Sequence, residues 1–339
     1  MAEQQPPFGV LLVNLGTPEA PTADAVRKYL AEFLWDKRVV DVPRPIWWLV
    51  LNGIILRFRP GKVAKAYASV WRWKKDGWPE DGSPLMLISR DQQKALAESL
   101  KQEYGCDIPV ELAMTYGGPT MEEAGRKLRQ AGVTKMLVLP AYPQLAGATT
   151  GAVHDRLAKG LMKCPHLPGM RWVTEYYNHP MYIGALANSV REYWAEHGRG
   201  DKLLMSFHGI PKRYADNGDP YPDQCRETAR LLAQELDLNE NQWLCAFQSR
   251  FGREEWVKPY TDETLEEWGK SGLGRVDVIS PAFSADCLET LEELDVENRE
   301  LFMESGGQDY HYIPCLNDRA DHISLFTELV KSNTAGWNE

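Results

Sequence analysis

The stretch "DKLLMSFHGIPKRY", residues 201 to 214, decides how the fold is read. Leu203, Leu204 and Met205 run on without alternating polar positions, and Ser206, Phe207 and His208 follow before Gly209 and Pro211 turn the chain. A strand that is apolar on both sides belongs in a parallel sheet covered by helices on both faces. Working outward, strand-like runs alternate with helix-like ones along nearly the whole chain. In the first half the expected strands are 8–16, 107–117, 135–142 and 170–177. The expected helices are 22–34 with Thr22 as N-cap, 89–104, 120–132 and about 150–163. In the second half, strands are expected at 201–207, 242–249, 275–283 and 308–314, with helices at 223–236, 262–272, 286–297 and 319–331. The pattern implies an α/β protein of two similar, doubly wound Rossmann-like domains with parallel sheets. They are expected over 1–177 and 178–339, joined near 177–200, with the last helix free to pack back on the first domain.

Composition narrows the function classes. The chain has 339 residues, 43% hydrophobic and 25% charged, ordinary for a globular protein and long enough for two domains. Lys and Arg total 38 against 48 Asp and Glu, and no basic run tracks a phosphate backbone, which argues against nucleic acid. The cysteines at 106, 164, 225, 245, 287 and 315 form no C-x-x-C pair, so a zinc ribbon is excluded and reduced cytosolic thiols are expected. "MAEQQPPFGV" shows no basic region ahead of an apolar stretch, so no export signal is expected. The apolar run Pro45 to Arg59 is too short for the ~20 residues that cross a bilayer. Its Trp47 and Trp48 suit either a surface helix touching lipid or a greasy cleft, or a core-packing helix.

His208 is the first candidate for chemistry, because ligands of open parallel sheets sit beyond the carboxyl ends of the strands. The strand 275–283 delivers "SADCLETLEELDVE" to the same kind of edge. There Glu289, Glu293 and Glu297, spaced i, i+4, i+8, would form a carboxylate line ~12 Å long on an α-helix. No Lys or Arg is interleaved from 286 to 297 to relieve the repulsion, and Asp286, Glu292 and Asp295 add to it. Each feature alone reads as a solvated acidic face or a hydrogen-bonded imidazole. Together they read as a path for a divalent cation, with a mixed His/carboxylate terminus that suits Fe²⁺. Rival sites are weaker. "NLGTP" lacks the dinucleotide spacing, and there is no P-loop and no nucleophile elbow. Cys225 and Cys287 read as buried, inert thiols, and Tyr221 as either site lining or packing.

At this point the residues resemble a known family. "SFHGIP" (206–211), "GDPY" with Cys225 and Thr228, "FQSRFG" (247–252) and "FSADCLETLEEL" (283–294) are similar to ferrochelatase motifs. So are "LLVNLGTPE" (11–19), "GSPL" (82–85), "LPAYPQ" (139–144), "TTG" (149–151) and "LND" (316–318), in order along nearly the whole chain. The resemblance is to the Gram-negative bacterial type and implies insertion of Fe²⁺ into protoporphyrin IX to give protohaem, the last step of haem biosynthesis. It implies a chelatase-like fold with the active site in a cleft between the domains. His208 and Glu289 would face each other across the macrocycle, with Glu293 and Glu297 continuing outward as the metal or proton path. Leu15, Ser83, Tyr116, Trp256, Phe283 and Asp286 would bind or frame the porphyrin, and residues of about 45–82 would form a lip. The roles of His208 and Glu289 stay open at this stage; the expectation adopted is His208 as proton acceptor and Glu289 as the final metal or proton contact.

Iron is expected as substrate, with no tightly bound cofactor. Some members carry a [2Fe–2S] cluster on cysteines near the C-terminus; the last cysteine here is Cys315, so no cluster is expected. Thr115 stands where a relative places an arginine for a propionate. The stretch 70–84, with Trp71, Trp73 and Trp78, reads as a surface loop or an extended lip. A cytoplasmic setting is expected, with peripheral contact to the inner membrane as an option. Two alternatives remain: a chelatase for another tetrapyrrole such as coproporphyrin III, and a non-catalytic haem or porphyrin carrier.

Overall fold

A computed structural model describes residues 7–165 and 167–337. Most of the decapeptide on which the export-signal expectation rests, residues 1–6, lies outside the described residues. The chain divides into two compact units. One comprises the chain up to Tyr142, Gly147–Thr174 and the chain from Ile323; the other comprises Pro143–Ala146 and Glu175–His322.

In the first unit the order is β1 (Gly9–Gly16), α1 (Ala23–Leu34), α2 (Arg44–Val50), a π-helical turn (Leu51–Ile55), α3 (Leu56–Val70) and α4 (Pro84–Tyr104). Then come β2 (Val110–Tyr116), α5 (Met121–Gln130), β3 (Lys135–Pro140), a second π-helical turn (Gly147–Gly151), α6 (Ala152–Leu161) and β4 (Gly169–Trp172). The four strands are parallel in the order β2-β1-β3-β4. Thr22 caps α1 as its sequence suggests, and Thr120 with Glu123 forms a reciprocal capping box on α5. Leu11, Val13, Ala113 and Val138 meet α5 and α6 through Leu128, Val153 and Leu157 in one apolar core.

The second unit runs α7 (Pro180–His197), β5 (Lys202–His208), α8 (Lys212–Asp216), α9 (Tyr221–Glu235), β6 (Trp243–Gln248), α10 (Thr261–Lys270) and β7 (Arg275–Ile279). A two-turn π-helix (Glu289–Glu297), α11 (Asn298–Glu304), β8 (Asp309–Ile313) and α12 (Ala320–Thr334) complete the chain's elements; α12 belongs to the first unit from Ile323 onward. Its sheet is again all parallel, in the equivalent order β6-β5-β7-β8. Leu204, Val276, Val278, Leu294, Phe302 and Tyr310 fill its core, so the π-helix is anchored through Leu294.

The structure corrects several expectations. Residues 180–197, read as part of a join, form α7; Ile183, Leu186, Ala187 and Val190 carried a helical spacing that went unread. The helix expected from 89 begins at Pro84, with Ser83 as its cap. The strand expected over 275–283 ends at Ile279, two residues before Pro281, which has no N–H to give the ladder. The strand expected over 170–177 is the four-residue β4. The acidic helix is π-helical rather than α-helical over Glu289–Glu297.

The apolar run after Pro45 divides its two tryptophans between the two readings. Trp47 is buried and its indole N–H donates to the Leu34 carbonyl at 2.7 Å, beside Val40, Leu51 and Leu56. Trp48, Leu49, Ile54 and Phe58 are exposed, Phe58 by 75%. In the 70–84 stretch, Arg72 and Gly82 exchange two backbone hydrogen bonds of 3.0 Å, closing a surface loop. Trp78 lies under the Arg72 guanidinium at 4.1 Å, while Trp71 is buried.

Candidate active site

In a sheet wound 2-1-3-4 the crevice opens between the first and third strands, at their carboxyl ends. In the second unit those are β5 and β7. His208 is the last residue of β5, paired with Gln248, the last of β6. It is half-buried, and its Nδ1 lies 2.7 Å from the Gly209 carbonyl. A carbonyl only accepts, so Nδ1 carries the proton of the neutral ring and Nε2 keeps a lone pair. Gly209 is required locally. A Cβ there would meet the Gln248 carbonyl at 2.8 Å and the Trp256 ring at 3.0 Å. The absent side chain lets buried Trp256 stand 6.5 Å from the imidazole, with Phe251 edge-on to it at 5.2 Å.

The segment after β7 supplies the carboxylates. Phe283 closes a turn onto the Ser280 carbonyl and is half-buried. Asp286 is buried, and its carboxylate accepts from the Tyr312 hydroxyl (2.7 Å), the Asn317 amide (2.7 Å), the Thr290 hydroxyl (3.1 Å) and the Cys315 N–H (3.3 Å). With so many donors it is a fastening for the start of the π-helix, not a free ligand. Asn317 in turn takes the Asp286 N–H at 2.8 Å. Glu289 opens the π-helix, half-buried, two residues after Cys287. Burial pushes the Cys287 and Cys225 thiols well up, as inert thiols require. Tyr221, buried against Cys225, packs rather than lining the site.

Glu293 is the most constrained of the row. The Ser249 N–H donates to one carboxylate oxygen at 2.7 Å and the Ser249 hydroxyl to the other at 2.6 Å. Burial raises its carboxyl above the usual range; the Ser249 hydrogen bonds and the His208 charge pull it back, while the Glu289 charge pushes it further up. Glu297 is exposed and shares with Glu293 a polar cavity of about 200 Å³. The wider i→i+5 coil keeps residues four apart on one side, along a shorter line than the α-helical ~12 Å. Glu289 and Glu293 are half-buried, and the row ends in solvent at Glu297. Among the described residues no group of three His, Cys, Asp or Glu is arranged to hold a metal ion, so the row is not a ready-made cage.

Gln248 and Ser249 were quoted in a motif but given no role from sequence. Gln248 accepts from the Ser206 hydroxyl (2.7 Å) and donates to the Glu289 carbonyl (3.1 Å), tying the histidine's strand to the first π turn. The signal that could have found them is their place at the end of β6, beside the crevice.

The three site residues expected in the first unit lie at its own sheet edge. Leu15 is half-buried at the end of β1 against the core. Ser83 is buried, and its hydroxyl accepts from the Met86 N–H at 3.2 Å as the cap of α4. Tyr116 is fully buried under the Arg156 guanidinium, 4.4 Å from the ring centre, with Phe33 edge-on at 5.0 Å.

Comparison with known proteins gives the family and the fold. The family profile described as ferrochelatase matches residues 7–334. The ferrochelatase of Thioalkalivibrio sulfidiphilus is 52% identical over 332 residues, covering 98% of this chain and 88% of that protein. That of Vibrio parahaemolyticus is 54% identical over 324 residues, covering 96% and 97%. Among solved structures, SirB from Bacillus subtilis with Fe3+ superposes with a TM-score of 0.53 at 14% identity, over 74% of this chain and 92% of that one. CbiX, described as the terminal enzyme for siroheme biosynthesis in denitrifying bacteria, gives 0.51 at 13% identity, over 96% and 98%. At such identities the two structures speak for the chelatase-like fold alone.

Proposed function

The chain belongs to the ferrochelatase family, and from that premise we propose how its own residues divide the work of inserting ferrous iron into protoporphyrin IX. The reaction is that of a lyase of haem biosynthesis: two pyrrole protons leave as the ion enters the ring. The ion must also shed water, and the protons need an acceptor close to the nitrogens.

The observation that carries the assignment is the open Nε2 of His208 on the same edge as a carboxylate row that runs from half-buried Glu289 to exposed Glu297. His208 takes a pyrrole proton at Nε2; Nδ1–H, held on the Gly209 carbonyl, keeps that tautomer and stabilises the imidazolium that forms. Glu289, half-buried at the head of the π-helix, is the last oxygen contact of the ion or the second proton acceptor. Glu293 and Glu297 lead from it to solvent. Oxygen ligands suit this task because they hold a divalent ion without competing with four ring nitrogens. Trp256 and Phe283 supply apolar wall, and Asp286 supports the turn that delivers Glu289. In the first unit, Leu15, Ser83 and Tyr116 are assigned to the porphyrin site, with fully buried Tyr116 supporting it from beneath. The donors for a resident cluster are not among these assignments, since the site uses iron as substrate.

We further assign the protein to the cytoplasm with peripheral contact to a membrane. The six free thiols suit a reducing compartment. From Asp41 to Asp76 no acidic residue intervenes, while Arg44, Arg57, Arg59, Lys62, Lys65, Arg72, Lys74 and Lys75 do. Beside them Ile46, Trp48, Leu49, Ile54 and Phe58 are exposed, the pairing of apolar and cationic groups that a lipid surface takes up. Among the described residues no helix is long and apolar enough to cross a bilayer.

The test is anaerobic incubation of the full chain with protoporphyrin IX and Fe²⁺, then Zn²⁺, following metalloporphyrin absorbance. Many turnovers per chain are expected; stoichiometric binding without turnover would overturn the assignment.

A further inference from the structure

Three non-glycine residues among those described have left-handed backbone, Asp237, Ser249 and Asn317. Two of them clamp a carboxylate of the segment after β7: Asn317 holds Asp286 and Ser249 holds Glu293. Asparagine tolerates that conformation well; serine does not, and glycine would be the comfortable choice at φ 64. A serine kept where glycine fits better needs a use for its hydroxyl. The hydroxyl donates to Glu293 at 2.6 Å, on the carboxylate oxygen not already held by the backbone N–H. The preceding Gln248 adds its amide, 3.5 Å from the same oxygen and 3.1 Å from the Glu289 carbonyl, while its own oxygen accepts from Ser206.

We propose that Ser249 and Gln248 are positioning residues of the metallation reaction, fixing the Glu293 carboxylate in one orientation and the first π turn against the strand that ends in His208. Glu293 is then a fixed step between a half-buried Glu289 and an exposed Glu297. A divalent ion passing along the row meets, at its middle, a carboxylate whose two oxygens are each already held by Ser249. The clamp therefore acts on the metal side of the reaction and leaves porphyrin binding alone. This inference rests on the function proposed above.

Ser249→Gly is the discriminating variant, because it relieves the backbone and keeps the N–H donor while losing the hydroxyl. Steady-state metallation by the full chain would be measured with Fe²⁺ and Zn²⁺ varied separately from porphyrin, in the parent, Ser249→Gly, Glu293→Gln and the double variant. Loss of one hydrogen bond to a charged group predicts a rise of about tenfold in the metal KM, with porphyrin KM and thermal stability unchanged or stability slightly raised. Because Ser249 acts through Glu293, the double variant should be no worse than Glu293→Gln alone. Unchanged metal KM in Ser249→Gly, a parallel rise in both KM values, or multiplicative losses in the double variant would overturn the proposal. A parent that does not turn over at all would instead sink the proposed function, which keeps the two failures apart.

Discussion

The two units share one frame and differ in what stands at its edge. Each sheet has the same parallel 2-1-3-4 order, and each has a π-helical segment after its third strand. In the first unit, β1 ends on Gly16, paired with Tyr116; φ there is 111, and a Cβ would sit 1.8 Å from the Tyr116 carbonyl. In the second, the corresponding last pair is His208 with Gln248. The π segments diverge in the same sense: "GATTG" after β3 carries no charge, and "ETLEELDVE" after β7 carries five carboxylates. One edge brings Gly16 against the Tyr116 backbone, and the other carries an imidazole followed by a row of carboxylates. Fold supplies the crevice twice, and side chains make only one of them a candidate for metallation chemistry.

The sharpest way to break that comparison is to strip the second edge of its imidazole. His208→Ala should cost 10²- to 10⁴-fold in kcat, the range for losing a positioned general base, with porphyrin binding retained by fluorescence titration. Glu289→Gln should fall in the lower part of the same range. If either variant keeps parental turnover, the asymmetry between the edges is not where the chemistry lies.

A second contrast sets two histidines of the same unit apart. His208 sits half-buried at the strand end; His322 is buried beneath the loop that carries Asn317, its Nδ1–H donating to the Asn317 carbonyl at 2.7 Å. Burial holds His322 down to about 4, from an ordinary 6.5. The folded protein thus binds this proton less readily than the unfolded chain, so stability is full above pH 6.5 and lost as pH falls toward 4. The difference is worth about 3 kcal/mol. Denaturant unfolding at pH 7 and pH 4 should show the parent losing about that much more than His322→Gln; equal losses would remove His322 as the cause. Since Asn317 holds Asp286, acid should loosen the head of the π-helix first.

Gly209→Ala probes the fit of the second edge more gently. The added methyl meets backbone oxygen and the Trp256 ring, so a cost of about 1–3 kcal/mol in stability is expected, the usual range for overpacking. A neutral result would mean that the Trp256 wall moves freely and that its packing beside His208 is not required.

How far this was legible beforehand follows from which forces are local. Continuous apolar runs and cap residues such as Thr22 and Thr120 announce strands and helix starts, so the parallel α/β architecture could be read from 201–214 outward. His208 and the Glu289 row were legible because strand direction alone sends them to a carboxyl edge. The π-helix was not: i, i+4, i+8 spacing serves both coils, and the choice depends on Leu294 reaching the core and Gln248 holding the Glu289 carbonyl. Ser249 was invisible for the same reason, as its role needs a partner 44 positions away. Ser83 shows the opposite limit; a residue carried over for the porphyrin already has a capping duty that its neighbour Pro84 announces.

The smallest expected effect concerns the first unit's own contrast, between the two faces of the helix that follows Pro43. Trp47 is spent on the core, whereas Trp48, and Phe58 on the following α3, stand exposed by 54% and 75%. Trp48→Ser with Phe58→Ser should therefore change folding stability by no more than about 0.5 kcal/mol, as surface substitutions do. The same pair should weaken cosedimentation with anionic vesicles, because each ring lost removes apolar area from the lipid contact. Raising salt should weaken what binding remains, since the eight cations between Asp41 and Asp76 act only within a Debye length of the surface. Binding that survives both the substitutions and high salt would assign the membrane contact to another face and leave these rings as exposed wall without a lipid partner.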